Sequence, residues 1–143
     1  MRFATSNSAA EVLALIRRVH EDWWEGRFAY DPAAFAEKIA ANGECIFAVD
    51  EISDRKTGGV FGYCNNSQDR IAYISFLGRI KSAPPGTGAS LHRAFVELAK
   101  TRGMERVRLE VSKPNVRARQ FYSRLGYIQI EDRGKKLLLE RPL

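Results

Sequence analysis

Residues 83–90 read APPGTGAS. Two glycines two residues apart, followed by a small residue and a serine, are what a chain needs to turn several backbone N–H groups toward one point. At the start of a helix those donors, with the positive end of the helix dipole, favour a negatively charged group. The stretch nearly spells the phosphate loop of nucleotide hydrolases, G-x-x-x-x-G-K-[ST]. Ala83 stands where that loop has its first Gly, and Ala89 stands where it has its Lys. Without the Lys nothing reaches the β- and γ-phosphates, and no apolar strand ending in a magnesium-binding Asp is evident. The hydrolase reading fails. The anion-binding logic of Gly86 and Gly88 does not depend on it and suits a pyrophosphate.

The elements around the loop follow from periodicity. Val12, Leu15, Ile16, Val19 and Trp23 recur at helical spacing, which predicts a helix over 8–25. Asp31 followed by Pro32 is an N-cap and first-turn pair, predicting a second short helix to about Ala41. ECIFAVD, GGVFGYC and RIAYISFL read as three strands, the first two joined across the charged SDRKTGG. After the loop, Leu91, Ala94, Phe95, Leu98 and Ala99 form a helix face that Gly103 ends. In RVRLEVS, Val107, Leu109 and Val111 point one way while Arg108 and Glu110 point the other. Asn115 caps a further helix, with Ala118, Phe121, Tyr122 and Leu125 on one face and Gly126 at its end. Strands are expected near 127–131 and 135–140. The order α-α-β-β-β-α-β-α-β-β, with one crossover after a meander, predicts an α+β fold: a mixed sheet with helices packed on it.

Composition bounds the class. The 143 residues suffice for one domain with a core, and 45% hydrophobic with 28% charged residues is ordinary globular usage. No apolar run of membrane-spanning length and no secretion signal is read, so no membrane association and a cytoplasmic location are expected. Cys45 and Cys64 are too few for a disulfide framework and are expected as reduced, buried thiols. His20 and His92 are the only histidines, which argues against a metal site or a Ser-His-Asp triad. The net charge of +6 is uneven: residues 1–78 hold 8 Lys/Arg and 11 Asp/Glu, and residues 79–143 hold 15 and 6. The second half therefore attracts an anion, either a nucleic acid or a phosphorylated cofactor. It has no nucleic-acid recognition motif, and its cations are dispersed along the helices.

APPGTG, the strand RLEVS and the run NVRARQFYSRLGY occur in that order. Together they resemble the GCN5-related N-acetyltransferase (GNAT) family. Its loop is Q/R-x-x-G-x-G/A, and its downstream motif N-x-x-A-x-x-F/Y-Y-x-x-x-G-F/Y is matched by Asn115, Ala118, Phe121, Tyr122, Gly126 and Tyr127. The resemblance spans about residues 44–130. FGYCNNSQDRIAYISFLG is more weakly similar to members found among surface-polysaccharide genes. Ala83 departs from the family's Gln or Arg, and Pro84 and Pro85 carry no N–H, which leaves Gly86, Thr87, Gly88, Ala89 and Ser90 to form the cradle.

The resemblance implies a twisted, mostly antiparallel mixed sheet of about six to seven strands with about four helices on its two faces. It implies a single N-acetyltransferase domain over 1–143, monomeric or homodimeric. It implies acetyl-CoA as acyl donor, no metal, and an amine of a small molecule, an amino sugar among the candidates, or of a peptide as acceptor. Glu110 takes the role of base and Tyr122 that of acid. The donor is lined by the loop residues together with Asn115, Ala118, Phe121 and Tyr122, and Leu77 or Gly78 supplies an N–H to the thioester carbonyl. Trp24, Arg27, Phe28 and Tyr30, between the first two helices, are the acceptor residues. The alternative is a catalytically silent module that binds acyl-CoA.

Overall fold

Each helix begins where its cap chemistry places it, save one. The computed structural model describes residues 1–24 and 28–143. Helix α1 (Ala9–Trp23) is capped by the Ser8 side chain, which accepts from the Glu11 N–H. Helix α2 (Pro32–Asn42) is capped by Asp31, which accepts from Ala33 and Ala34, with Pro32 in the first turn. Helix α4 (Val116–Arg124) is capped by Asn115 through the Ala118 N–H. Helix α3 (Thr87–Thr101) instead begins at Gly86, whose φ of +86° is left-handed, and it has no side-chain cap.

The strands are β1 (Arg2–Thr5), β2 (Glu44–Val49), β3 (Lys56–Tyr63), β4 (Ile71–Arg79), β5 (Arg106–Ser112), β6 (Ile128–Asp132) and β7 (Lys136–Pro142). They form one seven-stranded sheet in the order β1-β2-β3-β4-β5-β7-β6. Only β4 and β5 run parallel; every other neighbouring pair is antiparallel. The expected mixed sheet with helices on both faces is thus the fold. The expected order lacked β1. This four-residue strand lies at the sheet edge against β2 with most of its side chains exposed, so its pattern is too short and too polar to register as a half-buried strand.

Alternation along the strands feeds two apolar layers. Cys45, Phe47 and Val49 of β2 join Phe61 of β3 under α1 and α2, against Val12, Leu15, Ile16, Val19 and Ile39. Ile46, Ala48, Val60, Ile74, Val107, Leu109 and Val111 face the other way, against Leu91, Phe95, Val96 and Ala99 of α3 and Tyr122 of α4. Cys45 and Cys64 are free and buried. Among the described residues no helix is long and apolar enough to cross a membrane.

The two parallel strands do not stay together. Their pairing runs from Ile71 opposite Arg106 to Ile74 opposite Leu109 and then stops. Beyond that point β4 remains paired with β3 as far as Arg79, and β5 with β7 as far as Ser112. The cause lies in the register of β3 and β4: Phe61 faces Phe76 while Gly62 faces Ile74, so Ser75 is an extra residue. A bulge of this kind bends the strand that carries it. Gly62 lets the bend pack closely, because a Cβ there would lie 2.3 Å from the Tyr73 carbonyl oxygen and 2.7 Å from the Phe95 ring. The sheet therefore opens as a V at the carboxyl ends of its two parallel strands.

Candidate active site

The V is the wall of a cavity of about 390 Å³. Ile74–Leu77 line one side and Leu109–Ser112 the other. Ile16, His20, Trp24, Phe28 and Tyr30 close it on the α1 side, and Asn115, Ala118 and Tyr122 on the α4 side. Leu77, Glu110, Asn115, Ala118, Tyr122, Trp24, Phe28 and Tyr30 are thus brought to one space. Arg27, the remaining acceptor candidate, lies outside the described residues. Gly78 follows Leu77 in β4, opposite Gly59.

Glu110 projects from the face of β5 opposite the buried Val107, Leu109 and Val111, as alternation requires. The Tyr73 hydroxyl donates to its Oε1 at 3.3 Å, and the Arg133 guanidinium donates to its Oε2 at 3.3 Å. Burial first, and then the nearby Glu110 charge, push the Tyr73 hydroxyl up to about 12, so it stays protonated and remains a donor.

Tyr122 is buried on α4, and desolvation raises its hydroxyl above the ordinary tyrosine range. Its ring meets Tyr127 edge-on at 5.5 Å between centroids and Phe121 at 5.1 Å. No hydrogen bond to the Tyr122 hydroxyl is present among the described residues, yet no fully buried side-chain polar atom there lacks a partner. The hydroxyl therefore owes its tolerance to the cavity it lines. Behind it the Tyr127 hydroxyl shares a 2.7 Å hydrogen bond with His92 Nε2. Burial, followed by the Arg141 charge, holds the His92 imidazole down at about 4, so it is neutral near pH 7.

The loop ahead of α3 has its polar groups sorted. Ala83 is buried in the layer under α1, which is why that position carries no polar side chain. Thr87 is buried too: its hydroxyl donates to the Pro84 carbonyl at 2.6 Å and its N–H to the same oxygen at 3.2 Å. The Ser90 N–H donates to the Gly86 carbonyl. The N–H groups of Gly86, Gly88 and Ala89 have no acceptor among the described residues. Gly88 sits against α4: a Cβ there would lie 3.6 Å from the Phe121 ring.

The model of the acetyltransferase (GNAT) family matches residues 13–127. The chain belongs to the GNAT acetyltransferase family. This GNAT chain is similar in fold to an acetyltransferase of the GNAT family from Staphylococcus aureus Mu50, at 14% identity over 99% of this chain and 98% of that one, with a TM-score of 0.83. It is likewise similar to the PaiA N-acetyltransferase of Thermoplasma acidophilum in complex with coenzyme A, at 16% identity over the whole of both chains, with a TM-score of 0.74. A third neighbour is Arabidopsis thaliana NAA60 in complex with a bisubstrate analogue, at 17% identity over 99% of this chain and 97% of that one, with a TM-score of 0.73. No curated protein is similar enough in sequence to count as a relative.

Several residues of this GNAT site were not foreseen from the sequence. His20 stacks on Phe28 at 3.8 Å and on Trp24 at 5.9 Å, forming an aromatic wall with Tyr30. Its spacing, four after Ile16 and four before Trp24, was the available signal. Ser75 carried no signal, since a bulge depends on the partner strand. Tyr73 and Arg133 reach Glu110 from β4 and from the β6–β7 turn, a meeting that only the sheet order creates.

Proposed function

We propose that this acetyltransferase moves an acetyl group from acetyl-CoA to a primary amine of a small molecule, an amino sugar among the candidates, or of a peptide. The observation that carries the reading is that Glu110 and Tyr122 line one cavity from opposite faces of the sheet. Direct attack on a thioester needs a neutral amine, a polarised carbonyl and a proton for the departing sulfur. Glu110 accepts the proton that the ammonium must lose. A backbone N–H at Leu77 or Gly78, on the free edge of β4, polarises the thioester oxygen. Tyr122 donates to sulfur as the carbon–sulfur bond breaks, and the second amine proton restores its hydroxyl. A phenol held protonated by burial suits a donor better than a base.

The donor reading rests on the free N–H groups of Gly86, Gly88 and Ala89 at the start of a helix. It is supported by the bound coenzyme A of the Thermoplasma acidophilum neighbour. Thr87 and Ser90 shape the turn; Asn115, Ala118 and Phe121 flank the donor on the α4 side. Trp24, Phe28 and Tyr30, with Arg27 from the same connection, hold the acceptor.

The test is binding first and turnover second. Acetyl-CoA at ~100 times its dissociation constant is expected to stabilise the folded protein by about 2.7 kcal/mol, read as a rise in melting temperature. A panel of amino sugars, small amines and peptides, followed by thiol release, then identifies the acceptor. A melting temperature unmoved by millimolar acetyl-CoA would overturn the reading.

A further inference from the structure

Trp23, the last residue of α1, is not part of the cavity wall, yet three cations converge on its ring. The Arg79 guanidinium lies 4.9 Å from the ring centroid, the Arg117 guanidinium 5.1 Å and the Lys81 ammonium 5.6 Å. They come from three elements: the end of β4, the loop that follows it, and the first turn of α4. The indole N–H donates to the Arg79 carbonyl, which fixes the ring against the strand end. Among the described residues none of the three cations forms a salt bridge. The carboxylate nearest in sequence, Asp22, has its Oδ2 occupied by the Lys81 backbone N–H at 2.8 Å.

Like charges gathered on one ring repel one another, and the face of an indole offsets that only in part. An anion between them removes the repulsion and gains charge-assisted hydrogen bonds. The place for it is set by the neighbouring elements. Lys81 precedes Gly86 by five residues in the same loop. Arg117 lies one turn before Phe121 on α4, and Phe121 packs against Gly88 in the first turn of α3. Chain adjacency through Lys81, and the contact of Phe121 with Gly88, thus tie the cation cluster to the loop that carries the free N–H groups of Gly86, Gly88 and Ala89. Within the loop itself Ala83 is turned into the core, and Pro84 and Pro85 have no N–H to offer.

We propose that Arg79, Lys81 and Arg117, gathered on Trp23, are the cationic half of the site for the donor's diphosphate, opposite the amides of the α3 first turn. The proposal rests on acetyl-CoA being the donor. The indole holds the cations ready in the free protein, and they turn to phosphate oxygens when the donor enters.

The experiment is calorimetric titration of wild type and of Arg79→Gln, Lys81→Gln and Arg117→Gln. The probes are acetyl-CoA, 3′-dephospho-acetyl-CoA and S-acetylpantetheine, and melting curves confirm that each variant is folded. Each substitution is expected to weaken both nucleotide thioesters about tenfold at low salt, with a smaller loss at high salt. S-acetylpantetheine, which has no diphosphate, is expected to bind wild type and variants alike. An equal loss for S-acetylpantetheine would make the cluster a packing device and overturn the proposal. So would unchanged acetyl-CoA affinity in variants of a wild type that binds it. A loss confined to acetyl-CoA and absent for the 3′-dephospho compound would move the cations to the 3′-phosphate and overturn the diphosphate assignment. A wild type that binds no acetyl-CoA brings down the donor reading itself.

Discussion

The Tyr73 hydroxyl donates to Glu110 Oε1 at 3.3 Å, joining β4 to β5 across the point where the two strands part. Tyr73 stands one residue before the last paired position of β4, and Glu110 one residue after that of β5. The carboxylate is thereby held at the apex of the V, with Arg133 on its other oxygen. Tyr73→Phe keeps the ring and removes the donor. A hydrogen bond to a charged group contributes on the order of 1.5–3 kcal/mol, less where water can replace it. We expect turnover with a fixed acceptor to fall about tenfold while acetyl-CoA affinity is retained. Wild-type turnover in a folded Tyr73→Phe protein would show that Glu110 is positioned without it.

Tyr122→Phe tests the acid. The ring packs on Phe121 and Tyr127, so Phe preserves the contacts and only the hydroxyl is lost. Donation to a leaving thiolate acts in the transition state. The expected result is therefore a fall in kcat of about 10²–10⁴-fold with little change in donor affinity. Unchanged kcat would leave Tyr122 as a core residue.

Gly86 and Gly88 differ in what a side chain would meet. At Gly86 nothing lies within 4 Å of an added Cβ, but φ is +86°, a region β-branched residues avoid. Gly86→Val is therefore expected to cost stability, and Gly86→Asn, which tolerates this conformation better, to cost less. Gly88 needs no such conformation, and its Cβ would sit 3.6 Å from Phe121. Gly88→Val is accordingly the cleaner probe: a melting temperature near wild type, with acetyl-CoA binding weakened by the methyls crowding the free amides. Unaltered affinity in Gly88→Val would make the loop a plain strand-to-helix turn.

His92 predicts a pH dependence of stability. Its imidazole is held at about 4 in the folded protein, against an ordinary value of about 6.5 in the unfolded chain. Between those values the unfolded state binds the extra proton, so stability falls as pH drops from 6.5 toward 4 and is fully present above 6.5. The contribution at stake is on the order of 3 kcal/mol. His92→Gln, which can still bond the Tyr127 hydroxyl, is expected to flatten the difference in urea unfolding free energy between pH 7 and pH 5. An identical slope in wild type and variant would show that other groups set the acid sensitivity.

Much of this protein is legible along the chain because it is local. Ser8, Asp31 and Asn115 cap helices through N–H groups two or three residues away. The spacing of Val12, Leu15, Ile16 and Val19 needs only the 3.6-residue turn to become a buried face. Alternation alone puts Glu110 opposite Val107, Leu109 and Val111. Gly86 announces a left-handed residue ahead of α3, and the Asn115–Tyr127 motif identifies the family's carboxyl-terminal half. Other features depend on pairings between distant segments. Strand β1 exists because β2 offers an edge, not because RFAT alternates. The opening between β4 and β5 comes from one surplus residue, Ser75, measured against β3. His20, Tyr73 and Arg133 meet the site from a helix, a strand and a turn, and Trp23 collects cations from three elements. Short-range hydrogen bonds and periodicity are written in neighbouring residues. Strand register and the side-chain meetings it brings about arise only when segments far apart in the chain bury their apolar faces against one another.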